Sequence, residues 1–151
     1  MNKHLFIFIL ALLFCTPAFA QEDGTDPCQQ EMDKNSLKLF KKARDFHTHS
    51  KKDEAYELYN EILEEHPEYL EVNYYYALGL YLPIEANQYQ ARTKDKSDVN
   101  KAMAAFNRMY EVCPYFKIHC NIYAARLAYF NERFEEAIKF AQLIVDNPDA
   151  F

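Results

Sequence analysis

Apolar residues recur every three or four positions along most of this chain, and this spacing is typical of amphipathic helices. The first two stripes of this kind are Leu39, Ala43, Phe46 and then Ala55, Tyr59, Ile62. The segment from Leu70 to Leu82 is apolar almost all round, which indicates a helix buried on two sides. Only two glycines and no β-type alternation of apolar and polar residues occur, so the pattern predicts an all-α protein.

A helical signature that ends in proline occurs twice at identical internal spacing. The two copies read Ala55-x3-Tyr59-x2-Ile62-x4-Pro67 and Ala102-x3-Phe106-x2-Met109-x4-Pro114. A looser third copy contains Phe134, Ala137 and Ile144 and ends at Pro148. A fixed internal period indicates that each copy is one supersecondary unit stacked on its neighbours.

This spacing resembles the tetratricopeptide repeat, a helix–turn–helix unit of about 34 residues. The resemblance covers Ser36 to about Pro148 and implies a right-handed α-α superhelix of three helical hairpins. The implied repeats are residues 36–69, 70–116 and 117–150. Implied packing positions are Ala43, Ala55, Tyr59, Pro67, Ala77, Ala102, Phe106, Pro114 and Ala137. In the third repeat the small position falls on Ala124 or Ala125, depending on the end from which the register is counted.

The second repeat is longer than the family unit because its proline-ending signature starts late. The extra length falls in residues 83–96, a largely polar stretch that follows a helix expected to end at Pro83. Insertions in repeat proteins form loops on one face, often the binding face. A tolerated surface insertion is an equally good interpretation, since lengthening a loop costs little entropy.

The first twenty residues have the pattern of a secretory signal peptide. Lys3 precedes an apolar run from Leu5 to Phe14, and Ala18-Phe19-Ala20 forms a small-x-small cleavage site. We therefore expect an exported protein of the periplasm or cell envelope that starts at Gln21, with a flexible leader over 21–35. Ten apolar residues are too few for a membrane anchor. Lipidation at Cys15 is the alternative, disfavoured by bulky Phe14 before it.

The charge balance excludes one class of partner. Removal of residues 1–20 removes one basic residue, Lys3, and leaves 16 basic and 23 acidic side chains, a net charge of −7. Such a chain repels nucleic acid and anionic lipid headgroups. We therefore expect a protein or peptide partner, no nucleic acid, and no integral membrane span in the mature chain.

Cysteines Cys28, Cys113 and Cys120 remain after export. A disulfide between Cys113 and Cys120, which flank a proline turn, is geometrically feasible in an oxidising compartment. Burial of these two residues as small apolar side chains is the alternative. The spacing does not match a zinc site or a redox motif, so we expect no metal and no cofactor.

The resemblance also implies a binding groove lined by the first helix of each repeat. Of the positions carried over, those expected to contact a partner are Phe40, Arg44, His47, Tyr74, Leu78, Tyr81, Arg126 and Tyr129. Leu37, Thr48, Glu71 and Leu82 are the other groove positions of the first two repeats, and the register of the third repeat allows Asn121 or Ile122, and Ala125 in place of Arg126. Tyrosine and arginine are residue types that supply binding energy at interfaces. The alternative is that the aromatic residues, which are plentiful at 12 Tyr and 12 Phe, belong to the core.

Function follows from these patterns as an expectation. No phosphate-binding loop, nucleophile elbow or metalloprotease motif occurs, which favours a non-catalytic protein-binding scaffold over an enzyme. The arrangement is also similar to the N-terminal part of bacterial outer-membrane proteins that continue into a β-propeller and an OmpA-like domain. The alternatives are a structural part of such an assembly and, less favoured, a thiol-dependent enzyme using Cys113 or Cys120.

The end of the repeat block carries more apolar residues than one hairpin can bury. They are Tyr129, Phe130, Phe134, Ile138, Ala141, Ile144 and Val145. A repeat stack normally ends with a helix whose outer face is polar. We therefore expect self-association through this uncapped C-terminal helix, or a chain that is part of a longer envelope protein.

Overall fold

A computed structural model describes residues 26, 28–86 and 96–148, and these residues form six helices and no strand. The helices are α1 (Lys34–Thr48), α2 (Lys52–Glu65), α3 (Leu70–Ala86), α4 (Ser97–Val112), α5 (Cys120–Phe130) and α6 (Phe134–Asp146). The predicted all-α class is therefore confirmed. The predicted signal peptide, the start at Gln21 and most of the insertion lie outside the described residues.

The helices pack as three successive pairs, α1 with α2, α3 with α4 and α5 with α6. Smaller contacts join α2 to α3, α4 to α5 and α3 to α5, so each pair rests on the previous one. No helix among the described residues is long and apolar enough to cross a membrane. The architecture is thus a row of helical hairpins with one continuous core.

The turns of the first and third hairpins have the same geometry. Ser50 and Glu132 both take left-handed backbone angles, with φ of 63° and 62°. In both turns the backbone N–H of the next residue donates to a carbonyl five positions earlier. These bonds run from Lys51 to Phe46 and from Arg133 to Ala128. These equivalent turns lie 82 positions apart, and this offset matches Ala125, rather than Ala124, with Ala43 of the first hairpin.

The small residues of the repeat pattern lie at buried positions between contacting helices. Ala43, Ala55, Ala77 and Ala102 are completely buried, as the repeat pattern expects. The larger positions Tyr59 and Phe106 are buried beside them, whereas Ala137 of the third hairpin is only half-buried.

Two buried asparagines bind the backbone carbonyls of the prolines that separate the hairpins. The side-chain amide of Asn73 donates hydrogen bonds to the backbone carbonyls of Pro67 and Tyr69, at 2.8 and 2.9 Å. The Asn121 amide donates in the same way to Pro114, at 3.2 Å. A proline ends each preceding helix because it cannot continue the hydrogen-bond ladder. The asparagine then satisfies the exposed turn carbonyl and fixes the start of the next helix.

The leader prediction is wrong from Cys28 onward. Cys28 forms a disulfide with Cys113, whose Cα atom is 5.3 Å away. The Gln30 side chain accepts a hydrogen bond from the Leu70 N–H at 2.8 Å and donates one to the Glu68 carbonyl at 3.1 Å. These bonds attach residues 28–33 to the α2–α3 connection. Helix α1 begins at Lys34, before the predicted end of the leader.

The suggested disulfide between Cys113 and Cys120 is also wrong. Cys113 is already bonded to Cys28, and Cys120 is a free thiol buried at the start of α5. The sequence places Cys28 distant from both, but the packing of the leader across the α2–α3 connection brings it to the end of α4.

Pro83 does not end α3, contrary to the prediction. The helix continues to Ala86, so residues 83–86 of the predicted insertion are helical. A proline inside a helix removes one backbone hydrogen bond, and tertiary packing can offset that loss. Here Ile84 packs against the core and Glu85 forms an ion pair with Arg126 of α5, which holds the last turn in place.

Candidate functional site

A cleft of about 260 Å³ lies between the C-terminal half of α1 and the exposed face of α3. It is lined by Arg44, His47, Thr48, Tyr75, Leu78, Gly79 and Leu82, and we call it the α1–α3 cleft. Leu82 leaves 50% of its surface exposed at the edge. Three residues predicted for the groove, Arg44, His47 and Leu78, therefore come together in one concave surface.

Arg44 supplies the positive charge of this cleft. Its guanidinium carbon lies 3.5 Å from the centre of the Tyr75 ring and 6.0 Å from that of Phe40. Among the described residues no carboxylate forms an ion pair with Arg44. The ring holds the arginine by a cation–π contact, which leaves the guanidinium N–H groups able to donate to an acceptor in the cleft.

His47 forms the wall between the cleft and the core. Its ring lies 6.0 Å from the Tyr56 ring and 6.3 Å from the Tyr59 ring, and both are edge or tilted contacts. Burial lowers the pKa of His47, and the positive charges of Lys52 and Arg44 lower it further. The imidazole is therefore neutral near pH 7, with one nitrogen that can accept a hydrogen bond.

Gly79 gives the cleft its depth. A Cβ atom at this position would lie 2.5 Å from His47 Cε1 and 3.1 Å from Tyr56 Cε1, closer than carbon atoms pack. Gly79 was not predicted as a site residue, and neither was Tyr75. The Leu78-Gly79 pair was the available signal, but its register does not match the Leu-Gly pair of the tetratricopeptide pattern.

Aromatic rings continue from the cleft along α3 towards α5. The Tyr74 and Tyr75 rings meet at 4.7 Å, and His119 lies 6.2 Å beyond Tyr74. Lys117 covers Tyr74 at 4.1 Å, but both oxygens of Glu71 accept from its ammonium at 2.8 Å. Tyr74, another predicted groove residue, is thus half-buried beneath an ion pair. Phe40 is half-buried as well, in contact with Tyr59 and Tyr75.

Tyr81 does not line a groove, so this predicted site residue is corrected. It is 2% exposed and stacks on Tyr123 with ring centres 5.1 Å apart. It also contacts Phe106 of α4 edge to face. Burial raises the pKa of its hydroxyl. The residue sits at the contact of the second and third hairpins because α5 covers this part of α3.

The last two predicted groove residues lie on a different surface. Arg126 and Tyr129 line an apolar depression of about 420 Å³ between α5 and α6, which we call the α5–α6 face. Its remaining lining residues are Ala125, Phe130, Phe134, Ala137, Ile138 and Ala141. Arg126 is paired with Glu85, so the face offers almost purely apolar contact. The single groove predicted from the sequence is therefore divided between two separate surfaces.

Cys28, Cys113 and Cys120, the cysteines that the structure describes, offer no reactive thiolate. Cys113 is oxidised, and burial raises the pKa of Cys120 to about 12. A nucleophilic cysteine needs a lowered pKa and access to solvent. Within residues 26, 28–86 and 96–148, no three His, Cys, Asp or Glu side chains come together in a way that could hold a metal ion.

Comparison with known proteins adds no assignment to this geometry. No family model matches the chain, and neither the curated proteins nor the solved structures contain a match to it.

Proposed function

We propose that this protein is a non-catalytic scaffold that binds a segment of another protein in the α1–α3 cleft. The observation that carries the proposal is the convergence of Arg44, His47 and Leu78 beside the exposed Leu82. These side chains combine one cation that forms no ion pair with the described carboxylates, one neutral hydrogen-bonding ring and two apolar contacts. Ligand-binding clefts in general have this composition, because the lining is mainly apolar and a few polar groups fix the orientation of the ligand.

The row of helical hairpins supports a tetratricopeptide-like stack, a right-handed superhelix in which the first helix of each hairpin faces the partner. Each hairpin contacts the next, and two turns of the chain repeat the same geometry. In this arrangement α1, α3 and α5 form the inner layer. The α1–α3 cleft is then the accessible part of that layer, while Tyr81 and Tyr123 fill its other end.

The chemistry of the cleft defines the ligand. An apolar side chain fits between Leu78 and Leu82, and an acceptor such as a carboxylate or backbone carbonyl faces Arg44. A net charge of −6 over the chain disfavours a strongly acidic partner, so the bound segment is mainly apolar with a single acceptor near the arginine.

The disulfide supports an extracytoplasmic location. Disulfides such as Cys28–Cys113 persist in oxidising compartments and are rare in the cytosol of most organisms. Together with the signal-peptide pattern of residues 1–20, it supports the proposal that the scaffold is exported to the periplasm or the cell envelope.

The proposal is tested by selecting peptides from a random display library on the purified protein. The selected peptides are then measured by fluorescence anisotropy against Leu82→Asp and Arg44→Ala. We expect each variant to weaken binding at least fivefold, the effect of losing an interface hot spot. Tyr115→Asp, at an exposed residue outside the cleft, is the matched control and should bind as the wild type does.

Two results contradict the proposal. One is a set of selected peptides whose affinity is the same for the wild type, Leu82→Asp and Arg44→Ala. The other is a set whose affinity depends on Ile138 of the α5–α6 face instead. Circular dichroism of each variant establishes that the helices remain folded.

A further inference from the structure

The surface of the first hairpin against which α3 packs has a counterpart on the third hairpin. No helix of the described residues packs on that counterpart. In the first hairpin, His47 and Tyr56 both pack against Gly79 of α3. Tyr56 and Tyr59 also meet the Tyr76 ring edge to face, at 5.8 and 6.3 Å. A helix with a large residue and a small residue three positions apart, Tyr76 and Gly79, thus covers this surface.

The corresponding surface of the second hairpin is also covered by a helix. Its surface includes Tyr81, Met103 and Phe106, all almost completely buried. Helix α5 covers it and stacks Tyr123 on Tyr81. Two of the three hairpins therefore carry a surface that is closed by a further helix.

The equivalent turns set the correspondence between the first and third hairpins at 82 positions. At this offset His47 corresponds to Tyr129, Tyr56 to Ile138, and Tyr59 to Ala141. Tyr129 is 61% exposed and Ile138 is 66% exposed, whereas Tyr59 is fully buried. No helix of the described residues covers this third copy of the surface, and it coincides with the α5–α6 face.

Helix α6 also carries the apolar stripe that such a surface receives. Phe134, Ile138, Ala141 and Val145 are all exposed and are spaced four, three and four residues apart. This spacing is the seam by which one helix packs against another. Ile138 and Ala141 repeat the large and small pair of Tyr76 and Gly79.

The stripe is complementary to itself when two copies of α6 run antiparallel. A two-fold axis midway between positions 139 and 140 places Ile138 opposite Ala141 of the second copy, so that a large side chain meets a small one. The same axis places Phe134 opposite Val145. A symmetric interface requires such reciprocal pairing. If Ile138 of one copy contacts Ala141 of the other, then Ala141 of the first copy also contacts Ile138 of the second.

We propose that the α5–α6 face is the interface of a symmetric homodimer in which α6 packs antiparallel against α6 of a second copy. Tyr129 and Phe130 form the floor of the contact, and Ala137 and Ala141 allow the close approach of the helices. This interface is separate from the α1–α3 cleft, so dimerisation leaves the proposed peptide site open on each copy.

Sedimentation equilibrium of the purified protein from about 5 to 500 μM tests the dimer. We expect a monomer–dimer equilibrium in the wild type and at least a tenfold larger dissociation constant for Ile138→Asp. An aspartate at this exposed position leaves the monomer folded but would bury a charge in the interface, which is strongly unfavourable. Tyr115→Asp is the matched exposed control and should dimerise like the wild type.

The register is tested by disulfide trapping between two different variants. An equimolar mixture of Ile138→Cys and Ala141→Cys should form a mixed disulfide dimer several times faster than either variant alone. Three outcomes overturn the proposal: a wild-type monomer throughout the concentration range, a dimer that Ile138→Asp leaves unchanged, or trapping without preference for the mixed pair. None of these outcomes bears on peptide binding at the α1–α3 cleft, which the display experiment tests separately.

Discussion

Replacement of Gly79 by alanine tests whether close packing or helix propensity decides the stability of α3. Alanine in a helix interior is favoured over glycine by about 0.5–1 kcal/mol. The added Cβ, however, would lie 2.5 Å from His47 Cε1. Relief of this overlap requires the imidazole to move away from Tyr56 and Tyr59, and overpacking of this kind costs about 1–3 kcal/mol. We expect Gly79→Ala to destabilise the protein by about 1–2 kcal/mol.

Urea unfolding followed by circular dichroism at 25 °C measures this change. Thermal unfolding should show a fall in Tm of roughly 4–8 °C, at about 4 °C per kcal/mol for a chain of this size. The control is the same substitution in a His47→Ala background, where the overlapping ring is absent. There Gly79→Ala should be neutral or slightly stabilising. A stabilising effect in the wild-type background, or equal effects in both backgrounds, would refute this reasoning.

Three further predictions concern stability. Cys28→Ala removes the disulfide that closes a loop of 85 residues, so it should lower the free energy of unfolding by about 2–5 kcal/mol in urea titrations. An unchanged urea midpoint would contradict a disulfide to Cys113, and so would a destabilisation by dithiothreitol that is as large in the variant as in the wild type. Burial lowers the pKa of His47, so its contribution to stability is present above pH 6.5 and is lost as the pH falls through the folded-state pKa; His47→Gln should therefore lose less stability than the wild type between pH 7.5 and 5.0. Ala102→Leu should cost about 1–3 kcal/mol because this site is fully buried, whereas Ala104→Leu on the exposed side of the same helix should change stability little; equal effects would show that the contact between helices is not tight.

The helices could be predicted because their apolar spacing reflects local geometry. Ala55 and Ala102 begin identical signatures, and both lie fully buried against a neighbouring helix. Such periodicity depends on 3.6 residues per turn and requires no knowledge of the tertiary structure. The end of α3 could not be predicted in this way, since Ile84 and Glu85 hold the turn around Pro83 through contacts with distant residues.

The candidate site was only partly predictable for a related reason. Arg44, His47 and Leu78 share a surface in the structure because α1 and α3 lie side by side. In the repeat pattern, Tyr81 of α3 occupies the position that His47 occupies in α1. Tyr81 is nevertheless buried, because α5 covers it. Whether a position lies in a groove or in the core depends on the next helix in the stack, and a repeat pattern does not contain that information.

The disulfide shows the same limit. Spacing along the chain suggested a bridge between Cys113 and Cys120, which are close in sequence. The observed partner, Cys28, is 85 positions away and reaches Cys113 through the bonds of Gln30 to the α2–α3 connection. A bridge of this kind depends on the path of a segment that has no apolar period and therefore gives no local signal.

Photo-crosslinking from Leu82 in the native host tests the central claim most directly, because this side chain is half exposed at the edge of the α1–α3 cleft. Replacement of Leu82 by a photoreactive phenylalanine derivative should yield, after irradiation, a covalent adduct with another protein. The adduct should be absent when the same group replaces Tyr115, and it should decrease at least fivefold when Arg44 is also changed to alanine. No adduct from position 82, or the same adduct in equal yield from position 115, would contradict the assignment of the cleft as a partner-binding site.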